Sequence, residues 1–340
     1  MPPGFPDDPL RYMLESPVAA PEIEMKDVYD IIREAKARLN EPLVLATLVR
    51  AQGSSYRRPG ARLLVCRDGL TVGSLSGGCI EDEIAAHAEQ VATTERPVLV
   101  DFDTRRRFGC HGKIDIFIEL AQPQLFAEID AELSARRSCT IITAPEGSFV
   151  HASAEAGNAS HQSRASSSDL LFEPLAQELH PPIRLLIIGA GPDSGPLQHM
   201  CRLLGWNCLD VDDANSLTIE PDRWTAAVVK SHNFGRDFAA LARLLPPNLR
   251  YVGLIGPKKR RDELLNELLQ LGIVMNAGFF APAGLDLNAE TPEEIALAII
   301  SEIQLVFAGG SGQSLRDQKQ PIHHRAGATS AGVECQESRP

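Results

Sequence analysis

The chain has 340 residues, 44% of them hydrophobic, and a formal net charge of −12 at pH 7, which is length enough for two domains and apolar content enough for sizeable cores. The negative sum excludes broad binding to nucleic acid or to an anionic membrane surface, so any phosphate site must be a local basic pocket. Seven cysteines form an odd, scattered set without a C-x-x-C pair, which argues against a disulfide framework and against a cysteine-rich zinc site. No run approaches the eighteen or so apolar residues of a membrane span, and residues 1–8 lack the basic and apolar regions of a signal peptide. A cytoplasmic location is expected.

Residues 22–39 carry Ile23, Val28, Ile31, Ile32, Ala35 and Leu39 at helical spacing and stop at Asn40 and Pro42. Strands are expected at 43–49 and 62–66, around a loop in which Ser54, Ser55, Arg57, Arg58 and Arg62 are suited to phosphate contacts; the alternative is a solvated surface loop. Arg67-Asp68-Gly69 signals a hairpin into a strand at 70–75. Next comes Gly73-Ser74-Leu75-Ser76-Gly77-Gly78-Cys79-Ile80-Glu81, a glycine-rich turn with a thiol at the start of a helix marked by Ile80, Ile84, Ala88 and Val91. Unpaired N–H groups and a partial positive charge at that end favour anions and lower a thiol's pKa. Glu81, Asp82 and Glu83 oppose thiolate formation, so the direction of any shift is open, and a buried structural Cys79 is the competing reading. Strands at 98–103 and 114–120 flank a second loop, where Arg105, Arg106, Arg107 and Lys113 bracket Cys110 and His111. Neighbouring cations give Cys110 the better electrostatic case for a thiolate.

Residues 146–169 are rich in Ser, Ala, Gly, Asn and His and read as a polar linker or long loop, with a polar hairpin of the first domain as the alternative. The apolar run 183–188 then ends in Gly189-Ala190-Gly191, as a buried parallel strand enters a phosphate-binding turn. Asp212 or Asp213, about twenty residues on, stands where an acidic side chain meets ribose hydroxyls. Pro192 removes an N–H, Ser194 holds the third-glycine position, and Asp193 brings negative charge to the phosphate's place, so a Rossmann-like sheet without nucleotide stays open. Helices at 196–204 and 237–245 alternate with strands at 206–211, 226–230 and 251–255, which predicts a doubly wound parallel sheet. His232 and Asp237 fall at its carboxyl edge, as an acid-base pair or a metal site that lacks a third ligand; capping of the next helix is the favoured single role for Asp237. Residues 256–261 are a basic run, either a ligand or partner contact or a solvated helix start. Thr291, Pro292 and Glu294 open a last helix with a capping box.

The expected fold class is α/β: an N-terminal mixed α+β domain at 22–145, a polar linker or long loop at 146–180, a Rossmann-like doubly wound parallel sheet domain at 181–308, and a disordered tail at 309–340.

Taken in order, Gly53-Ser54-Ser55-Tyr56-Arg57-Arg58-Pro59-Gly60-Ala61, Ser76-Gly77-Gly78-Cys79-Ile80-Glu81, Gly109-Cys110-His111-Gly112, Gly189-Ala190-Gly191, His232 with Asp237, and Ala281-Pro282-Ala283-Gly284-Leu285-Asp286 resemble the xanthine dehydrogenase accessory family, the XdhC/CoxI-type maturation factors of molybdenum enzymes. The chain departs from the family at Pro192, Asp193 and Ser194, where histidine and small apolar residues are usual, and at His111, where glycine is usual. The resemblance implies a non-catalytic chaperone that binds the molybdenum cofactor, as molybdopterin or its cytidine dinucleotide form. It would protect the cofactor during sulfuration and deliver it to an apo molybdenum hydroxylase such as xanthine dehydrogenase. A cysteine desulfurase-type sulfur donor and a homodimer are implied with it. On this resemblance Cys79 and Cys110 are the candidates near the metal. Ser55, Arg57, Arg58, Ser76, Gly77 and Gly78 are candidates for the cofactor's phosphate, and Gly189, Gly191, Asp212 and His232 for a ligand of the second half, NAD(P) included. The competing functions are an NAD(P)-dependent oxidoreductase using the Rossmann-like half, a bridging protein without ligand, and zinc or iron binding by Cys79, Cys110 and His111.

Overall fold

Apolar residues three and four apart make the first helix, α1 (Lys26–Ala37), which buries Val28, Ile31, Ile32 and Ala35. The computed structural model describes residues 25–53, 55–78, 80–103, 112–152, 172–189 and 191–317. They fall into two compact units, Glu24–Leu185 with Cys201–Leu209 in one, and Leu186–Met200 with the residues from Asp210 in the other.

In the first unit, β1 (Val44–Gly53), β2 (Arg62–Val65), β3 (Thr71–Gly73), β4 (Val98–Asp103) and β5 (Gly112–Leu120) form an antiparallel sheet of order β3-β2-β1-β5-β4. The helix after the glycine-rich turn, α2 (Glu81–Thr94), buries Ile84, Ala88 and Val91 against Val44, Ala46 and Leu48 of β1 and Ile116 and Ile118 of β5. The alternate β1 position Leu45 lines a small apolar cavity with Val28, Ile31 and Ile32 of α1. Both faces of the first part of β1 are therefore covered, which is why residues 43–49 are all buried and, apart from Thr47, apolar. The expected hairpin closes through the bond from Cys66 N to Leu70 O at 2.9 Å, with Gly69 at φ +82°.

Two elements carry no expectation from the sequence: α3 (Pro123–Ser134), which buries Leu125, Phe126, Ile129 and Leu133, and β6 (Cys139–Ala144). Strand β6 is the centre of a small antiparallel sheet between β7 (Gly147–Ala152) and β8 (Leu175–Leu179). The expected polar linker at 146–180 thus contributes two strands, which pair with β6 because Ile141 and Thr143 need partners on both sides; residues 153–171 lie outside the described set.

The second sheet contains β9 (Arg184–Ile188), β10 (Asn207–Val211), β11 (Thr225–Val229), β12 (Tyr251–Leu254) and β13 (Phe279–Phe280) in the order β10-β9-β11-β12-β13. The pairs β11–β12 and β12–β13 are parallel, with Ala226 opposite Tyr251 and Val252 opposite Phe279. Helices α4 (Ser194–Leu204), α5 (Phe234–Leu244), α6 (Lys258–Gln270) and α7 (Pro292–Ala308) complete it, and this is the expected Rossmann-like fold. Helix α7 starts as expected: the Thr291 side chain accepts from Glu294 N, and the Glu294 carboxylate accepts from Thr291 N at 3.0 Å. Chain order reverses between β9 and β11, and an open α/β sheet takes ligands at the carboxyl ends of such a pair.

Candidate sites at two sheet ends

Register brings the described strand ends that flank the three N-terminal motifs to one end of the first sheet. Gly53 pairs with Gly112, Asp103 with Lys113, Thr47 with Arg62 and Leu63 with Gly73. The carboxyl ends of β1, β3 and β4 and the amino ends of β2 and β5 therefore share that end. The connections 54–61, 74–80 and 104–111 all leave from it. The described roots of the two cysteine-bearing connections are three to four strand spacings apart, about 14–19 Å at roughly 4.8 Å per strand. Ser54, Cys79, Cys110 and His111 lie outside the described residues. Among the described residues no group of three His, Cys, Asp or Glu side chains is placed to hold a metal ion.

On the first connection Ser55, Arg57 and Arg58 are part-buried, and Tyr56 is 65% exposed. The Arg57 guanidinium donates to Asp27 at 2.6 Å, which fastens the loop to the start of α1. Beneath it lies a buried polar group. Arg62, 3% exposed, donates to Gly60 O at 2.9 Å and to the Gln177 side chain. Glu119 accepts from Ser148 N at 2.8 Å. Burial pulls the Arg62 guanidinium down to about 10 against the opposing charge of Glu119, and burial pushes the Glu119 carboxyl up. Arg62 is thus an internal tie between β2 and β8 and is not offered to a surface phosphate.

The second connection is organised by Glu81, which in sequence looks only like an obstacle to a thiolate. Its carboxylate accepts from Ser76 N at 2.9 Å, Ser76 Oγ at 2.6 Å and Ile80 N at 3.1 Å. Burial alone would raise its pKa, but the hydrogen bonds from Ser76 and Ile80 outweigh it and hold the carboxyl below the usual range. Ser76 donors are therefore engaged within the turn. Gly77 and Gly78 are exposed, with open space where a Cβ would be, and φ of +102° at Gly78 demands glycine.

At the second sheet's switch point, Gly189 follows β9 at φ +105°, and a Cβ there would lie 2.4 Å from Ser231 Cα, so only glycine fits. Gly191 is different. A Cβ at that position would lie 2.6 Å from Asp193 Oδ1 and 3.3 Å from Lys230 Nζ. Lys230, 1% exposed, donates to Asp193 Oδ1 at 2.7 Å. The ground above Gly191 that a diphosphate would need is filled by a carboxylate, so these residues do not fit a dinucleotide as arranged.

His232 is exposed at the end of β11 with φ +54°, near enough for its charge to lower Asp193's pKa. Asp212 is exposed at the end of β10, while Asp213 caps a short 3-10 turn by accepting from Asn215 N at 2.8 Å. Asp237 is not the helix cap: Asn233 caps α5, accepting from Arg236 N. Asp237 is fully buried and binds Ser231 N at 3.1 Å, Ser231 Oγ and Arg260. Lys258 opens α6, so the basic run is a helix start, and Arg260 is directed inward to Asp237.

Two family models match the chain, the "XdhC and CoxI family" over residues 37–103 and the "XdhC Rossmann domain" over residues 185–303. The chain belongs to the XdhC and CoxI family. One relative is a probable xanthine dehydrogenase subunit of Bacillus subtilis, 28% identical over 77% of this chain and 92% of its own length. Another is the molybdenum cofactor insertion chaperone PaoD of Escherichia coli, 24% identical over 77% of this chain and 83% of its own length. A crystal structure from Bacillus halodurans described as a xanthine dehydrogenase shares the fold, with a TM-score of 0.71, 24% identity, and coverage of 87% of this chain and 98% of that one. The XdhC and CoxI match takes in β1 to β4 with the first two connections, and the XdhC Rossmann match takes in both glycines of the second turn.

Of the residues singled out in the sequence, Ser55, Arg57, Arg58, Ser76, Gly77 and Gly78 come to one sheet end, and Gly189, Gly191 and His232 to the other sheet's switch point. Glu81, Lys230 and Glu302 emerge only from the structure. Glu302 accepts from Tyr251 OH at 2.8 Å and Gly284 N at 2.7 Å, which anchors the Pro-x-Gly-Leu-Asp segment. Glu81 does carry a signal, as the acidic first residue of a helix after a serine-rich turn; a buried lysine at a strand end carries no such local signal.

Proposed function

We propose that this protein carries the molybdenum cofactor as cargo, protects it while its terminal sulfido ligand is installed, and hands it to an apo molybdenum hydroxylase of the xanthine dehydrogenase type. The observation that carries this reading is that the described strand ends from which connections 54–61, 74–80 and 104–111 leave lie at one end of the first sheet, the first two connections falling within the XdhC and CoxI match. The likeness to a molybdenum cofactor insertion chaperone supports it. The residue types suit the cargo. Arg57 and Arg58 supply cationic donors for a pterin phosphate, exposed Tyr56 offers a flat face to a heteroaromatic ring, and Cys79 and Cys110 are soft donors for molybdenum or persulfide sulfur. Ser76 acts through Glu81 in shaping the turn. A cysteine desulfurase-type sulfur donor, a homodimer and a cytoplasmic setting complete the proposal. An oxidoreductase reading finds no support at the second turn, where Asp193 stands above Gly191.

The experiment is reconstitution of an apo xanthine dehydrogenase-type client with limiting, freshly released molybdenum cofactor. Client activity is expected to rise about tenfold or more when this protein is present at about ten times its Kd or above, where roughly nine-tenths of the cofactor is bound and only about one-tenth is free to decay. Equal activation with and without the protein contradicts the proposal.

A further inference from the structure

The second sheet has most of what a dinucleotide diphosphate site needs. The chain order reverses at β9 and β11, Gly189 makes the tight turn, and α4 begins beyond it. A cation already lies under the turn, since Lys230 Nζ is 3.3 Å from where a Cβ of Gly191 would stand. Ser194, 2% exposed, opens α4 with a buried hydroxyl that has no hydrogen-bond partner among the described residues.

We infer that this turn is closed to dinucleotides because Asp193 stands in the diphosphate's place against Lys230, and that removing this one charge opens an anion site of the nucleotide diphosphate class. A buried ammonium requires a counter-charge, and an anion at a helix start is stabilised by the helix dipole. In this chain the Asp193 carboxylate, 2.7 Å from Lys230 Nζ, meets both requirements. Burial works to raise the Asp193 pKa, but the Lys230 hydrogen bond and charge, with the His232 charge, hold it below the usual range. The carboxylate is thus ionised at neutral pH and repels any phosphate brought to Gly191, while Pro192 withholds an N–H from it.

The test is a titration of the full-length chain with NADPH, followed by nucleotide fluorescence, and with inorganic diphosphate, followed by calorimetry. The wild type is expected to be silent to both up to millimolar concentration. Asp193→Asn and Asp193→Ser, the second keeping a hydroxyl for Lys230, are expected to bind about ten- to a hundredfold more tightly than the wild-type limit, the scale of one charge-assisted contact. Adding Lys230→Met removes the gain. Micromolar NADPH binding by the wild type overturns the inference, as does a folded Asp193 variant, verified by circular dichroism, that stays as silent as the wild type.

Discussion

Asp237→Ala is expected to cost about 3–5 kcal/mol of stability, the usual consequence of removing one member of a buried ion pair. The carboxylate is fully buried in the first turn of α5 and joins three segments: Ser231 after β11, Arg260 on α6, and its own helix. Alanine leaves the Ser231 N–H without its acceptor, and the Arg260 guanidinium, whose Nε has no partner among the described residues, without its counter-charge. Asp237→Asn keeps the shape and one acceptor oxygen, so its cost should be smaller, about 1–3 kcal/mol. Urea unfolding of the two variants beside the wild type measures both. A loss under about 1 kcal/mol for alanine would mean that this network is not what holds α5 and α6 over the sheet. The same change loosens the floor of the second turn, because Gly189 packs directly on Ser231.

The second large effect is expected in cargo binding. Glu81→Ala removes the acceptor for Ser76 N, Ser76 Oγ and Ile80 N at once, and with it the shape of the turn from Ser76 to Gly78. Retention of molybdenum should fall about 10–100-fold, the range found when a residue that orients a metal's ligands is lost, while global stability falls by only about 1–2 kcal/mol because the turn is partly exposed. Unchanged retention in a folded Glu81→Ala protein would remove the turn from the site. The effect carries a pH signature. A carboxyl held below its ordinary value of 4.5 stabilises the fold above that value and loses its contribution as pH falls through the lower folded value. The stability difference between wild type and Glu81→Gln should therefore be full at pH 7 and shrink below about pH 4.5. Glu119 and Glu302, raised by burial, have the opposite sign: they favour the fold at low pH and lose that contribution as pH rises through their folded values.

The sequence carries the fold wherever a local rule governs it. Thr291-Pro292-Glu293-Glu294 is a complete start signal and forms one; Gly189 is a glycine no other residue replaces. Helix α3 is legible by the same rules, with Pro123 in its first turn and Leu125, Phe126, Ile129 and Leu133 on one face, but its short period is overshadowed by the stronger strand signal before it. Strands β7 and β8 are hidden because their pairing with β6 is a tertiary fact, and polar residues on a small sheet's open face look like a linker. The basic loops are recognisable as a type, yet which cations face outward is not legible. Arg57 and Arg62 both resemble phosphate ligands in sequence, while in the fold Arg57 stays part-exposed on the loop, held there by Asp27, and only Arg62 is buried, beneath Gly60. Asp193 is readable as a misplaced charge; that Lys230 balances it depends on β11 lying beside β9.

The most direct test of the central claim is retention of cargo. Purified protein is incubated with released molybdenum cofactor and desalted, and molybdenum and pterin are measured per chain for the wild type, Cys79→Ala and Cys110→Ala. Stoichiometric retention by the wild type, lost in at least one cysteine variant, is the predicted result; a wild type that retains neither molybdenum nor pterin contradicts the account.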